Sequence, residues 1–384
     1  MSPSTIIALG LLLRIAVAVW NGFFGPSMGA ELDAQTFYET ASAGSRLLLF
    51  LDWEVGPNVY INFLTLVFYL INNSLFFGSL ISCFAWLWAA IVLQKSINLV
   101  AGDDPARILP LMLFAFAPTS ILNTGVTLRE PFQLLFINLA AYSALRIGIT
   151  RSKAFWLLFI MGCTGAGYLH PALIGFVIVL VPSTILFILA ITRQNLPWGR
   201  IILAIVLVIG LLPVALSFFS DVGYDLSSGL LNASRRYQEG SLWTDARANY
   251  KQLEPNAGLV GAIWDVVYGF FQYLTEPMPW NIGNLADLGL FLENLARLYL
   301  AYLVLRNIRA LSGPPRITIL YLFAMFLAIE LIWSLGTVNW GTAARHHVPA
   351  LGLLVIAASR AYVSREGFAR PDQSLPRALT RQPI

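Results

Sequence analysis

The residues best suited to chemistry fall in three short polar patches of an otherwise apolar chain. The first is Gly29-Ala30-Glu31-Leu32-Asp33-Ala34-Gln35-Thr36-Phe37-Tyr38-Glu39, where carboxylates crowd together directly after an apolar run. Carboxylates in such a place can hold a divalent cation through oxygen or take a proton from a hydroxyl. Asp33 is equally a favoured helix cap, and the two roles are compatible. If the segment is helical, Phe37, Tyr38, Ala41, Leu48 and Leu49 give one apolar stripe resting on a membrane, with Glu31 and Asp33 at the N-terminal end of the helix. The second patch, Pro118 to Pro131, interrupts two apolar runs and holds Arg129 beside Glu130. The structural reading is an ion pair that steadies a turn, but an exposed pair contributes only about 0 to 1 kcal/mol, a weak reason to place charges there. The third patch, Asn339 to Pro349, holds Arg345, His346 and His347. A guanidinium offers a planar fork of donors suited to phosphate, and imidazole adds hydrogen bonds. Adjacent histidines on a helix cannot both face one site. His170, just before Pro171, reads as a satisfied loop histidine. The sequence has no zinc-ligand spacing, no nucleotide-binding glycine pattern and no serine nucleophile elbow.

The elements that must position these patches are membrane helices. The chain is 58% hydrophobic and only 11% charged over 384 residues, and its repeated apolar runs of roughly 17 to 25 residues can cross a hydrocarbon core of about 30 Å. This excludes an ordinary soluble fold and makes an all-α, polytopic membrane protein. The net charge of +4 is read from where the charges fall rather than as attraction to nucleic acid. Cys83 and Cys163 lie inside apolar runs, where thiols behave as small hydrophobes. The first run, Ile6 to Val19, contains Arg14 and an Ala16-Val17-Ala18 triplet like a signal-peptidase site. Its missing basic leader and internal charge favour a retained span.

Candidate spans are 4–22, 75–98, 108–124, 131–148, 155–169, 172–192, 201–219, 287–305, 317–335 and 346–363, with one ambiguous run at 55–71. With a cytoplasmic N-terminus and 55–71 lying in the interface, ten spans result. Lys95, Arg107, Arg146, Arg151, Lys153, Arg193, Arg200, Arg306, Arg309 and Arg316 then all fall inside, as the positive-inside rule requires. A crossing at 55–71 from the same start flips every later loop, whereas an external N-terminus with 24–54 inside satisfies the later loops equally well. The preferred arrangement has one transmembrane domain, 1–363, with a first outer loop at 24–74 containing interfacial helices, a large outer loop at 220–286, and a cytoplasmic tail at 364–384. The stretch from Ile263 to Leu274 reads as a second surface-lying or re-entrant helix. Neither internal repeats nor broken helices are visible.

In their order these patches resemble the GT-C superfamily of integral-membrane glycosyltransferases, which use polyprenyl-phosphate-linked sugars. Glu31-Leu32-Asp33 with Tyr38 and Ala41 is similar to the family's first-loop acidic motif, and Gly56-Pro57-Asn58-Val59-Tyr60 resembles the start of its second interfacial helix. Asp103-Asp104-Pro105-Ala106-Arg107 is like the cytoplasmic turn that follows. Leu128-Arg129-Glu130 falls where many relatives place a second acidic residue, and Arg345-His346-His347-Val348-Pro349 resembles a basic motif before the final span of bacterial members. The similarity covers much of residues 1–150 and recurs in short patches later. The chain departs in having Glu-x-Asp rather than Asp-x-Asp and no large soluble domain after the spans, which leaves the metal and the acceptor open.

The resemblance implies an inverting transfer of one sugar from a polyprenyl-phosphate donor to a hydroxyl of a glycan or lipid acceptor, at the extracytoplasmic face of the plasma (inner) membrane. It makes Asp33 the base, with Glu31 and Glu130 orienting it or, together with Asp33, holding a divalent cation (Mg²⁺ or Mn²⁺). Arg129, Arg345 and His346 would neutralise the donor phosphate, and Tyr38, Arg235, Arg236 and Glu276 would border the substrate. A lipid-linked polysaccharide polymerase or ligase is the rival within enzymes, leaning on Arg235, Arg236 and Arg345. A lipid or glycan flippase is the rival of another class and predicts repeated halves and broken helices.

Overall fold

Among the described residues the apolar runs fold as helices. The structure, a computed structural model, describes residues 1–25, 31–102, 107–192, 248–250 and 259–361. The expected span at 201–219, Arg235 and Arg236, the turn at 103–106 and the tail at 364–384 lie outside the described residues. In chain order the helices are α1 (Pro3–Phe23), α2 (Glu31–Ser45), α3 (Pro57–Leu70), α4 (Leu75–Ala101), α5 (Ile108–Phe116), α6 (Pro118–Thr124), α7 (Glu130–Thr150), α8 (Phe155–Leu169), α9 (Pro171–Thr192), α10 (Leu259–Thr275), α11 (Leu285–Ile308), α12 (Gly313–Ser334) and α13 (Trp340–Ala361). Their starts carry the expected chemistry: the Ser2 and Ser74 side chains cap α1 and α4, and Asn284 and Asp287 form a reciprocal capping box at α11.

Among the described residues six of these helices, α1, α4, α7, α9, α11 and α12, are long and apolar enough to cross a membrane. The protein is an all-α, multi-pass membrane protein. The expected spans differ in three places. Helix α8 has 15 residues, about 22 Å of helix against a hydrocarbon core of about 30 Å. The run at 346–363 belongs to α13, which begins earlier, at Trp340. The run at 108–124 is two helices rather than one, because the chain bends out of helical geometry at Ala117 (φ −57°, ψ 120°) ahead of Pro118.

That bend corrects the expectation that no helix is broken, and buried charges hold it. In a continuous helix Thr119 N–H would donate to Ala115 O. Here Ala115 O instead accepts from Arg14 Nη1 at 2.9 Å, and Thr119 N donates to Glu293 Oε2 at 3.0 Å while its hydroxyl donates to Glu293 Oε1 at 2.6 Å. Arg14 also reaches Gly10 O, Thr124 Oγ1 and Ser120 Oγ, and its guanidinium lies 3.6 Å from the centre of the Trp86 ring. The charge inside the first apolar run is a clamp on a break far along the chain.

Helix α13 is the hub, packing against α12, α7, α11, α4, α5 and α6. Leu354, Val355, Ile356, Ala357 and Ala358 are all fully buried. A helix enclosed by protein needs no lipid-facing surface, so it tolerates the polar start that carries Arg345, His346 and His347. Gly352 lets α7 approach closely: a Cβ there would collide with the Asn138 amide, which is itself bonded to Ala89 O of α4.

Outside the hub, α2 packs on α3. Ala34, Phe37 and Ala41 are the buried stripe of α2, with Tyr38 half-buried beside them. Leu48 and Leu49 do not extend it, because α2 ends at Ser45 and both are exposed.

Candidate functional site

The ends of α2, α7, α8, α12 and α13 meet at one end of the bundle and bring the three polar patches together. The first turn of α2 supplies Asp33. Glu130 opens α7, where the helix dipole favours a carboxylate. Arg345 sits in the second turn of α13 and bridges both. Its Nη1 bonds Asp33 Oδ2, while Nε and Nη2 lie 3.2 and 2.8 Å from Glu130 Oε1. One guanidinium therefore ties together residues separated by 215 and 312 positions in the chain.

Burial separates the two carboxylates. The Asp33 side chain is 53% exposed, Arg345 13% and Glu130 3%. Asp33 forms the open mouth and Glu130 the floor. Glu130 Oε2 is buried without a hydrogen-bond partner, an unspent acceptor beneath the guanidinium. Arg129 donates through Nη1 to Leu169 O at the end of α8, 3.1 Å away, placing a second guanidinium on the same rim.

A ring system closes the other side. His346 stacks on Trp333 at 4.0 Å between ring centres, and His170 meets the same indole edge-on at 4.5 Å. His346 Nδ1 lies 2.8 Å from Thr337 Oγ1. His170 Nδ1 accepts from Ala172 N at 3.1 Å and so caps α9, as expected of a satisfied loop histidine. Burial, reinforced by the nearby Arg129 guanidinium, pushes His170 well below the usual imidazole range, which keeps that acceptor free of a proton. Gly56 N donates to Tyr168 O, so α3 starts beside this turn; its φ of 124° is open to glycine and strained for other residues.

The remaining expected residues fall elsewhere. Glu31 is the first residue of α2, and its side chain lies outside the described residues. Tyr38 packs edge-on against Phe68 of α3 at 5.8 Å. Glu276 is committed to a turn, its Oε2 accepting from Met278 N at 2.7 Å and Asn281 Nδ2 at 2.9 Å. His347 faces away from its neighbour, as adjacent helical positions must: its Nδ1 lies 2.6 Å from Glu330 Oε2. Among the described residues no group of three or more His, Cys, Asp or Glu side chains converges on a metal position.

Sequence reasoning missed Trp333 and Thr337, which orient His346, and the buried Glu330 and Arg297. The last two carried a signal, because an ionisable residue inside an apolar run is a functional candidate by default. Compared with protein-family models, curated proteins and solved structures, the chain matches none, so the family resemblance rests on its own residues.

Proposed function

We propose that this chain is a membrane glycosyltransferase that moves a sugar from a polyprenyl-phosphate donor to an acceptor hydroxyl, with inversion, at the extracytoplasmic face of the plasma (inner) membrane. The observation that carries this reading is Arg345 seated between an exposed carboxylate, Asp33, and a buried one, Glu130. An acceptor arriving from water meets Asp33 first, and Asp33 takes its proton as the hydroxyl oxygen attacks the sugar's anomeric carbon. The bond from that carbon to the phosphate oxygen breaks, and the departing phosphate collects on Arg345 with help from Arg129. His346, held by Trp333 and Thr337, is placed to add a hydrogen bond.

Asp33 and the donor phosphate compete for one guanidinium. The resting pair occupies Arg345 until an anion arrives, and the exchange releases Asp33 to act as base while Glu130 keeps Arg345 anchored from below. Glu31, Asp33 and Glu130 are the carboxylates that would hold a Mg²⁺ or Mn²⁺, which would supply positive charge to the leaving phosphate. Arg345 already supplies such charge between two of them.

The experiment is Asp33→Asn in a purified assay with polyprenyl-phosphate sugar. Turnover should fall by about 10²- to 10⁴-fold, while donor affinity holds or tightens because Arg345 loses its competing anion. Near wild-type turnover would return Asp33 to helix capping alone.

The break between α5 and α6 is the observation that favours the flippase reading, since discontinuous helices line transport sites. The backbone groups freed at the break, Ala115 O and Thr119 N, are already taken by Arg14 and Glu293, which makes the break a structural joint rather than an open binding position.

A further inference from the structure

Two of the chain's three histidines, His346 and His170, meet the Trp333 indole, and their bonding fixes where each carries its hydrogen. Thr337 Oγ1 lies 2.8 Å from Trp333 O and 2.8 Å from His346 Nδ1. Its one hydroxyl hydrogen can serve only one of these contacts. A carbonyl has no hydrogen to give, so the hydroxyl donates to Trp333 O and His346 Nδ1 carries a hydrogen of its own. A second proton, on Nε2, would set a third cation beside Arg345 and Arg129, the guanidiniums that act on this ring. Nε2 is therefore a bare acceptor.

His170 is the opposite case. Its Nδ1 accepts from Ala172 N, which leaves the ring hydrogen on Nε2 as a donor. Neither Nε2 has a hydrogen-bond partner among the described residues, and both side chains are half-buried rather than enclosed. The two ring centres are 6.3 Å apart. One oxygen that donates to the first ring and accepts from the second can bridge such a gap with bonds of about 2.8 Å. The place also adjoins the two guanidiniums: His346 follows Arg345, and His170 follows Leu169, whose carbonyl accepts from Arg129.

We infer that His346 and His170 form a subsite for a hydroxyl of the substrate. The hydroxyl donates to His346 Nε2 and accepts from His170 Nε2–H, displacing the water that otherwise takes both roles. A phosphodiester has no hydrogen for His346 Nε2, so the phosphate goes to Arg345 and Arg129 and the two rings read what the phosphate carries. On the transferase reading, from which this inference takes the identity of its ligand, that is the sugar of the donor. His346 thus passes from the phosphate, where the family resemblance puts it, to the sugar. A site built to hydrogen-bond a hydroxyl rejects ligands that lack it, because its own polar groups are left unpaired.

Nitrogen NMR of the purified full chain, labelled with ¹⁵N at histidine, reads the tautomers directly, because only three rings contribute. At neutral pH His346 should carry hydrogen on Nδ1 alone and His170 on Nε2 alone, each assigned by the signal lost on its replacement by Asn. A hydrogen on His346 Nε2, or on His170 Nδ1, overturns the inference. Binding is the second arm, with undecaprenyl phosphate as probe, bare or carrying glucose, galactose or mannose. His346→Asn keeps a donor for Thr337 but loses the far acceptor. It should weaken binding of the best-bound sugar lipid tenfold or more and leave the bare lipid unchanged, and His346→Gln, whose amide reaches further, should recover most of the loss. His170→Asn, which keeps an acceptor for Ala172 N and loses the far donor, should act in the same way and serves should His346→Asn not fold. Equal loss for the bare lipid returns His346 to the phosphate, and unchanged binding in both Asn variants overturns the subsite. A wild type that binds none of these lipids overturns the transferase reading and the sugar assignment with it, while the spectrum still decides the tautomers.

Discussion

Arg345 is held on two sides that differ in cost. Its bond to Asp33 is half in water, where an ion pair contributes about 0 to 1 kcal/mol. Its bond to Glu130 is buried, and removing one partner of such a pair costs about 3 to 5 kcal/mol because a charge is stranded. Truncation therefore mixes stability with function, and Arg345→Lys is the cleaner variant. Lysine keeps the charge over Glu130 but lacks the fork that reaches a second anion. The expected result is a folded Arg345→Lys protein whose polyprenyl-phosphate affinity drops roughly ten- to a hundredfold, the loss of one charge-assisted hydrogen bond. Unchanged affinity would assign Arg345 to packing alone. The three members of this cluster were legible in the sequence because an apolar chain keeps few charges, and those at the ends of its runs stand out. Arg297 and Glu330 stood out only as charges inside apolar runs and His347 only as part of the third patch, and that the three meet was not legible, since they come from three different helices. Only tertiary contact reveals that they share a cavity.

Helices were legible as apolar runs, and the caps at Ser2 and Ser74 mark where two of them start. What a run does in its middle was not. Pro118 announces a missing N–H, but whether the chain breaks depends on who takes the freed groups. Here they are taken by Arg14 on α1 and Glu293 on α11, far away in sequence. Arg14→Leu should leave Ala115 O without its donor and lower stability by about 1 to 3 kcal/mol. Glu293→Gln keeps an acceptor for Thr119 and should cost less. Thermal unfolding of the two variants in detergent orders them, and an Arg14→Leu protein as stable as wild type would remove the clamp from this account. The hub helix α13 starts ahead of its apolar run for a related reason. Enclosure by six neighbouring helices buries it from His347 to Ser359 and lets its polar start join the same helix.

At the scale of the molecule, charge divides the bundle. Asp33, Glu130, Glu276 and Asp287 lie at the end where α2, α7 and α11 begin, whereas Lys95, Arg107, Arg146, Arg151, Lys153, Arg306, Arg309 and Arg316 lie at the opposite ends of the helices around them. Short basic connections favour the cytoplasmic side, which supports the extracytoplasmic position proposed above for the Arg345 cluster. The placement of α3 supports the same arrangement: it starts where Gly56 N donates to Tyr168 O, and the chain after it starts α4 at Leu75, whose carbonyl accepts from Thr127 Oγ1, so both its ends lie on the side of the Arg345 cluster. Two exposed positions at the two ends give the test. Asn73, between α3 and α4, and Ala310, between α11 and α12, can each be replaced by cysteine. The native thiols of Cys83 and Cys163 are buried and should add little background. A membrane-impermeant maleimide applied to intact cells should label Asn73→Cys and spare Ala310→Cys, and the pattern should reverse in inverted vesicles. Labelling of both positions from the same side would mean that an even number of crossings separates them and that the charge division does not mark the two faces. Labelling of Asn73→Cys only from inside would place the Arg345 cluster in the cytoplasm and remove the outer-face reaction from the proposed function.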